Sequence, residues 1–196
     1  MNDGPVHFFT LLLYPDALRT LTGMAVEPHL NRYSDFWDLF DSAWHAMAHA
    51  VFHAPDDAAR VRLIEDFLHP RCSTAREEPD TREYPHRIGA WSDRVARRAA
   101  RHVRHLSERQ VDRRIKDRTG QNLRQLRGLG RLETVLLAAN QVTEQPAPHW
   151  TALAMDSGFS DQAHLCRAFR RYLGMRPGEL RRCLLHESAW VYRVWA

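Results

Sequence analysis

The chain has 196 residues, and its formal net charge of +4 is unevenly distributed. Residues 1–70 contain four arginines and ten acidic residues, whereas residues 71–196 contain 24 basic residues and 14 acidic ones. The sequence has no secretory signal and no apolar run of membrane-spanning length, and its three cysteines are not closely spaced: Cys72, Cys166 and Cys183. These features argue against a membrane-spanning protein and a disulfide-stabilised secreted domain, and they predict a cytoplasmic protein with reduced thiols.

The first 70 residues predict a small helical segment. Residues 15–23 indicate a short helix that ends at a glycine, and residues 34–53 indicate a longer helix with Ser34 at its N-cap. A proline breaks that helix, and residues 56–68 predict the next one. Only residues 6–14 have the character of a β-strand.

Three histidines follow one another at helical spacing in the longer helix. His45, His49 and His53 recur at every fourth position, so their rings share one face. Two such histidines can ligate zinc, but the outer pair of this row would stand about 12 Å apart along the helix, which is poor geometry for one ion. A histidine-dependent metal protein is thus the alternative from another functional class, and an interface or partly buried histidine face is the simpler interpretation.

Two segments lack regular structure signals. Residues 72–86 are polar and without periodicity, which predicts a linker between an N-terminal segment (1–71) and a larger domain (87–185). Residues 186–196 form an apolar, aromatic tail. This tail is expected either to fold back on the core or to contact another protein.

A ten-residue pattern occurs twice, 54 residues apart. It reads V-D-R-R-I-K-D-R-T-G over residues 111–120 and L-C-R-A-F-R-R-Y-L-G over residues 165–174. Each copy has an apolar residue, arginine two positions later, a second apolar residue, then a cation and a closing glycine. A serine and an acidic residue precede each copy, at 107–108 and 160–161. The pattern predicts two helices that begin at an N-cap and stop at a glycine.

The spacing separates an apolar face from a basic face in both helices. The first helix has Val111 and Ile115 opposite Arg109 and Arg113. In the second helix, the two faces are Leu165, Phe169 and Tyr172 against Ala163, Arg167 and Arg170. Two ordinary surface helices with solvated arginines would show the same pattern.

The second basic helix lies within a longer motif. Residues 153–161 place an apolar helix, a glycine turn and a new N-cap before it, which is the order of a helix-turn-helix. Residues 150–182 contain G-F-S-D-Q-A-H-L-C-R-A-F followed by G-M-R-P, and they resemble the second helix-turn-helix of the AraC/XylS family of bacterial transcription regulators. The turn and core positions of this motif are Gly158, Phe159, Phe169, Gly174 and Pro177.

The first basic helix resembles the first helix-turn-helix of that family more loosely, and the resemblance covers about residues 85–185. His105 stands where the second unit has its turn glycine, and Arg101 stands where the second unit has Ala154. The helix before the turn keeps an apolar stripe: Ala96, Ala99, Ala100, Val103 and Leu106. We therefore expect looser packing in the first unit and a grip on DNA that depends mainly on charge.

Residues 123–141 predict a helix between the two units, because leucines recur in it at helical spacing. Gly128 and Gly130 lie inside it and allow either close packing or a kink. The resemblance implies that this helix holds the two recognition helices about one DNA turn apart, roughly 34 Å. The predicted fold is mainly α, with a small helical N-terminal segment before two helix-turn-helix units joined by a linker helix.

Base contacts are expected from the starts and outer faces of the recognition helices. The candidates are Arg109, Gln110 and Arg113 in the first helix and Gln162, His164 and Arg167 in the second. Positions 109, 113, 162 and 167 also match positions that touch DNA in the family that the chain resembles. For Gln110 and His164, a solvent-facing or helix-capping role is the alternative. All but one of the 28 basic residues are arginine, which suits phosphate and guanine contacts but is also the product of a GC-rich genome.

The resemblance implies a bacterial, nucleoid-associated transcription regulator that binds double-stranded DNA, without catalysis, cofactor or metal. RNA polymerase is a second candidate partner, and a homodimer through the N-terminal segment is another candidate assembly. The family usually has a larger sensor domain before its DNA-binding half, so a small-molecule effector is doubtful for this shorter segment. The alternative is a truncated regulatory or protein-interaction module that binds DNA weakly.

Overall fold

The computed structural model describes residues 9–72, 87–101, 107–141 and 149–184. These residues form ten α-helices and one 3-10 turn, with no β-strand among them, so the prediction of a mainly α fold is confirmed. Residues 9–14 are neither strand nor helix, and the strand-like character of that stretch was misleading. Among the described residues, no helix is long and apolar enough to cross a membrane.

The chain divides into two compact units, one of residues 1–81 with 116–120 and one of residues 82–115 with 121–196. The helices of the N-terminal segment are α1 (Pro15–Thr22), α2 (Phe36–Leu39), α3 (Ser42–Phe52) and α4 (Asp57–Cys72). The later helices are α5 (Arg87–Arg101), α6 (Glu108–Thr119), α7 (Leu123–Gln141), α8 (Trp150–Asp156), α9 (Gln162–Leu173) and α10 (Pro177–Leu184).

In the first unit, the predicted single helix over residues 34–53 is wrong, because the chain forms two helices there. Asp35, not Ser34, caps α2, and the backbone becomes extended at Asp41. The Asp41 carboxylate accepts hydrogen bonds from the N–H groups of Ala43 and Trp44, at 3.0 and 3.2 Å. A carboxylate that satisfies these otherwise unpaired donors starts a new helix.

The other boundaries of the first unit follow the sequence more closely. Helix α1 ends at Gly23 with φ of 72°, as the glycine stop predicts. The last helix, α4, runs beyond the predicted end at residue 68 and includes Cys72, which was assigned to the linker. Residues 73–86, the rest of that predicted linker, and the tail 186–196 lie outside the described residues.

The histidine face of α3 packs against aromatic rings. The Trp37 ring centroid lies 4.9 Å from that of His45 and 5.0 Å from that of His49. His53 turns its Nδ1 to the carbonyl of His49, at 2.8 Å. In the part of the chain that the structure describes, no three His, Cys, Asp or Glu side chains are placed to hold a metal ion. His45 is half-buried, whereas His49 and His53 are exposed, so only the first histidine matches the expected partly buried face.

Residues 116–120, which group with the first unit, contact its 3-10 turn (Glu27–His29). The Nζ atom of Lys116 lies 2.8 Å from the carboxylate of Glu27. The guanidinium of Arg19 also donates a hydrogen bond to the carbonyl of Asp117. The hydrogen bond to Glu27, followed by the attraction between the two charges, raises the pKa of Lys116 above its usual value.

In the second unit, α5 packs closely along α7. An ideal Cβ on Gly130 would come within 3.0 Å of the Cα of Gly89, so Gly130 allows close packing. The Glu133 carboxylate is buried and accepts hydrogen bonds from the N–H groups of Ile88, at 2.8 and 2.9 Å, and Gly89, at 3.2 Å. This carboxylate satisfies the first donors of α5, so one helix caps the other.

The buried face of α5 differs from the predicted alanine stripe. Ala99 is buried as predicted and Ala96 is half-buried, whereas Ala100 is exposed. Trp91 and Val95, which were not in the predicted stripe, are buried as well. Val103, Leu106 and the predicted turn at His105 lie outside the described residues, as does the side chain of Arg101. The buried face of α5 therefore includes Trp91, which the alanine pattern did not indicate.

The core of the second unit joins α7, α8, α9 and α10. Its buried members are Leu132, Val135, Ala154, Phe159, Leu165, Phe169 and Leu180. Helix α7 begins and ends where the leucine spacing predicts, at Leu123 and Gln141. Helix α9 therefore rests on a continuous apolar core with its opposite face exposed.

Candidate nucleic-acid interface

A tight turn leads from α8 into α9. Gly158 has φ of 77°, a conformation that favours glycine, and Phe159 then enters the core with 4% of its surface exposed. The Asp161 carboxylate accepts a hydrogen bond from the N–H of His164, at 2.6 Å, and so caps α9. That hydrogen bond holds the pKa of Asp161 below its usual range, with further help from the Ser160 hydroxyl and the charge of Arg167.

The two faces of α9 are those that the sequence predicts. Leu165 and Phe169 are fully buried, whereas Ala163, Arg167 and Arg170 are exposed. The helix stops at Gly174, which has φ of 71° and a free space where a Cβ would lie. Pro177 is buried at the start of α10. The outcome is a short, well-anchored helix with a basic outer face.

Helix α6 has the same division with different support. Ile115 is fully buried and Val111 is half-buried, while Arg109 and Arg113 are exposed on the other side. The carboxylate of Asp112 accepts a hydrogen bond from the N–H of Leu123, at 2.9 Å. Since Leu123 is the first residue of α7, this bond ties the middle of α6 to the start of the linker helix.

Gln110 and His164 occupy the same position, the third residue of their helices, and both side chains turn back to the preceding loop. The amide oxygen of Gln110 accepts hydrogen bonds from the N–H and the hydroxyl of Ser107, at 2.9 and 3.2 Å. The Nδ1 of His164 lies 3.1 Å from the hydroxyl of Ser160. The geometry at both positions favours the helix-capping role over a free base-contacting role.

Gln162, the first residue of α9, also has a local partner. Its amide oxygen accepts a hydrogen bond from the hydroxyl of Thr151 on α8, at 2.9 Å. Gln162 is nevertheless exposed, as are Arg109, Arg113 and Arg167. Of the six candidates, the three arginines thus have side chains without a hydrogen bond or ion pair to the described part of the protein, and the other three hold helix starts or loops in place.

Comparison with known protein families gives a match over this helical arrangement. Residues 100–183 match the family model described as a helix-turn-helix domain, of the AraC type. The match supports an AraC-type DNA-binding domain over these residues. No curated protein and no solved structure matches the chain in the same comparisons. The matched segment covers α6 to α9 completely and the predicted first turn as well, and the match supports DNA binding in transcription regulation in general.

Sequence analysis missed two residues that shape the second compact unit. Glu133 caps α5 from inside α7, but a single glutamate in a leucine-rich helix carries no signal of such a distant contact. Arg131 lies beside the turn between α8 and α9, where its guanidinium is 5.4 Å from the Phe159 ring centroid. Its Cδ is the atom nearest to a Cβ built on Gly158, at 3.2 Å. Three-dimensional packing alone brings these groups together.

Proposed function

We propose that the chain is a sequence-specific transcription regulator that reads two adjacent major-groove segments of duplex DNA, one with α6 and one with α9. The observation that carries this proposal is the equivalence of Arg113 and Arg167. They lie 54 residues apart, at the same position of two matched helices, and both are exposed opposite a buried apolar face. An arginine in that position can donate two hydrogen bonds to the edge of a guanine.

The linker helix has a length that suits this arrangement. Helix α7 contains 19 residues, which corresponds to about 28 Å along its axis. Two major-groove segments on one face of DNA are separated by about 34 Å, and the turns at each end of a helix supply the remaining distance. A rigid linker of this length favours an asymmetric site read by one chain over a palindrome read by two.

The six predicted base contacts divide into two groups in this proposal. Arg109, Arg113 and Arg167 contact bases or phosphates. Their side chains are exposed and form no hydrogen bond or ion pair with the described residues. Gln110, Gln162 and His164 keep recognition helices in register through their bonds to the loops and to α8. Substitutions in the second group should therefore weaken DNA binding mainly because the recognition helix shifts, and less because a base contact is lost.

The proposed function also implies a cellular location and protein partners. Such a regulator would work in the bacterial cytoplasm on the nucleoid, with RNA polymerase as a second protein partner and no catalysis of its own. The helical N-terminal segment is the candidate for forming a homodimer. A protein-interaction module with weak DNA binding is the alternative, and it requires the outer faces of α6 and α9 to have no base preference.

Selection from randomised duplexes at moderate salt tests the proposed function. The purified chain should enrich a single bipartite motif with its two halves about one helical turn apart. The double variant Arg113→Ala/Arg167→Ala is the matched control, because both residues are exposed and the variant should fold normally. If the wild-type chain enriches no motif, the sequence-specific proposal is wrong and the protein-interaction alternative takes its place.

A further inference from the structure

A basic cleft opens between α9 and the first half of α7, entirely within the second unit. Its volume is about 420 Å³. Four arginines line it, Arg124 and Arg131 from α7 and Arg167 and Arg171 from α9, and no aspartate or glutamate is among its lining residues. The cleft is thus a concentration of positive charge next to a proposed recognition helix.

The arginines of this cleft are not neutralised by ion pairs within the described part of the chain. No ion pair joins any of the four to an acidic side chain within the described ranges. The Nε of Arg131 is buried and has no hydrogen-bond partner, although buried donors are nearly always paired. The charge of Arg167 acts on the nearby Asp161 carboxylate, which offsets part of the positive charge. The like charges that remain repel one another, so a bound anion would relieve the repulsion.

The position of Arg131 is fixed by its neighbours. Its guanidinium lies over the Phe159 ring, and its side chain passes the turn glycine, Gly158, where no side chain obstructs it. Gly128 lines the cleft as well, and a Cβ there would contact the Tyr172 hydroxyl at 3.4 Å and the Nη2 of Arg131 at 4.0 Å. A planar guanidinium that is already held in place loses little freedom on binding an oxyanion, which it can contact through two parallel N–H groups.

We propose that this cleft binds a phosphate group, and that the backbone of bound DNA supplies it. The inference rests on the proposed function of α9. An α-helix with its side chains is 10–12 Å across and the major groove is about 12 Å wide, so a helix in the groove has a phosphate backbone along each side. The first half of α7 lies along one side of α9, where that backbone passes.

The variants Arg124→Gln and Arg131→Gln test this site on DNA, with Arg97→Gln as the control, since Arg97 is exposed on α5 and outside the cleft. Affinity is measured against salt concentration on a selected duplex and on a scrambled one. Each cleft variant should weaken binding to both duplexes equally and reduce the salt slope by about 1, whereas the control should do so less. Equal salt slopes for the cleft and control variants would contradict the proposal that the DNA backbone supplies the phosphate group.

A second arm without DNA distinguishes the DNA backbone from a free phosphate compound. Inorganic pyrophosphate is added to the wild-type chain and to Arg131→Gln, and thermal unfolding is followed. If pyrophosphate raises the Tm of the wild-type chain only, while the salt slopes of cleft and control variants are equal, the cleft binds a free phosphate compound. If neither arm responds to the variants, the phosphate site itself is wrong.

The two arms also separate this inference from the proposed function. Failure of the wild-type chain to bind any duplex would contradict the proposed function but would leave the pyrophosphate arm readable. Specific duplex binding with an unresponsive cleft would contradict only the phosphate site. Circular dichroism of each variant at the assay temperature confirms that it is folded, so a loss of binding reports the missing guanidinium.

Discussion

The two basic helices present similar outer faces on differently built supports. Helix α9 is capped by an aspartate, is preceded by a glycine turn and rests on a core that includes Phe159 and Phe169. Helix α6 is capped through Ser107 and Gln110, and its fully buried apolar contact is Ile115. What the two helices share is therefore the register of their arginines, while the parts that hold them in place have diverged.

This comparison explains how one motif can be recognised easily and its partner only loosely. The recognisable residues of the second motif are turn and core residues, namely Gly158, Phe159 and Phe169, and each has a specific structural role. In the described part of the first motif, a glutamine cap and a hydrogen bond from the N–H of Leu123 to Asp112 hold the helix. Sequence similarity thus follows the support of the helix more than its exposed face.

The largest expected effect comes from the core under α9. Phe169→Ala should lower the free energy of unfolding of the second unit by about 3–5 kcal/mol, because it leaves a cavity in a fully buried site. Phe169→Leu, which refills most of the volume, should lose clearly less. Urea denaturation followed by circular dichroism measures both, and a loss below about 1 kcal/mol for Phe169→Ala would contradict the assigned core.

The next effect concerns the helix that precedes α6. Glu133→Ala removes the acceptor for the Ile88 and Gly89 N–H groups and should lower the free energy of unfolding by about 1–3 kcal/mol. Glu133→Gln retains one acceptor oxygen and should lose less. Asp93→Ala, a substitution at an exposed position of α5, is the control. If Glu133→Ala behaves like that control in urea denaturation, the cap from α7 does not stabilise α5.

Two turn glycines allow a smaller and well-matched comparison. Gly158→Ala and Gly174→Ala both place a side chain at positive φ, which costs about 1–2 kcal/mol. The new Cβ would crowd the Arg131 side chain at position 158, whereas it would meet nothing within 4 Å at position 174. Thermal unfolding should therefore show a larger loss for Gly158→Ala, and equal losses would mean that Arg131 moves aside freely.

The smallest effect separates the two helix caps by pH. Because the folded pKa of Asp161 is lowered, its stabilising contribution is present above the usual aspartate value and is lost as the pH falls through the folded pKa. Asp161→Asn keeps a capping oxygen but cannot titrate, and the Ser107 cap of α6 has no such dependence. Urea denaturation from pH 6 to about pH 2 should show the wild-type chain losing stability relative to Asp161→Asn below about pH 4. If the two proteins lose stability in parallel as the pH falls, titration of Asp161 does not contribute to the stability of the fold.

The sequence was informative wherever a local pattern determined the structure. Leucine spacing placed α7 at its observed ends, and the glycine stops at Gly23 and Gly174 both adopt positive φ. The division of α9 into buried and exposed faces followed from its periodicity. These features depend on contacts within one helix or between neighbours in the chain, so a single sequence contains the information.

The errors arose where a local competition or a distant contact decided the outcome. Asp41 has a carboxylate that caps a new helix, and apolar periodicity alone does not reveal that it divides the segment in two. The buried face of α5 depends on Trp91 and on the close approach of Gly130, which lies some 40 residues further along the chain. The cluster of arginines beside α9 likewise forms only when α7 and α9 pack together.

The most direct test of the central claim is the effect of Arg113→Ala and Arg167→Ala on a bipartite duplex with either half scrambled. Equilibrium binding is measured for each variant on the intact duplex and on the two half-scrambled duplexes. Each variant should lose about 1–3 kcal/mol of binding free energy on the intact duplex. The loss for Arg113→Ala should disappear when one half is scrambled, and the loss for Arg167→Ala when the other half is scrambled. If both losses disappear with the same half, or persist on every duplex, α6 and α9 do not read two separate segments of DNA.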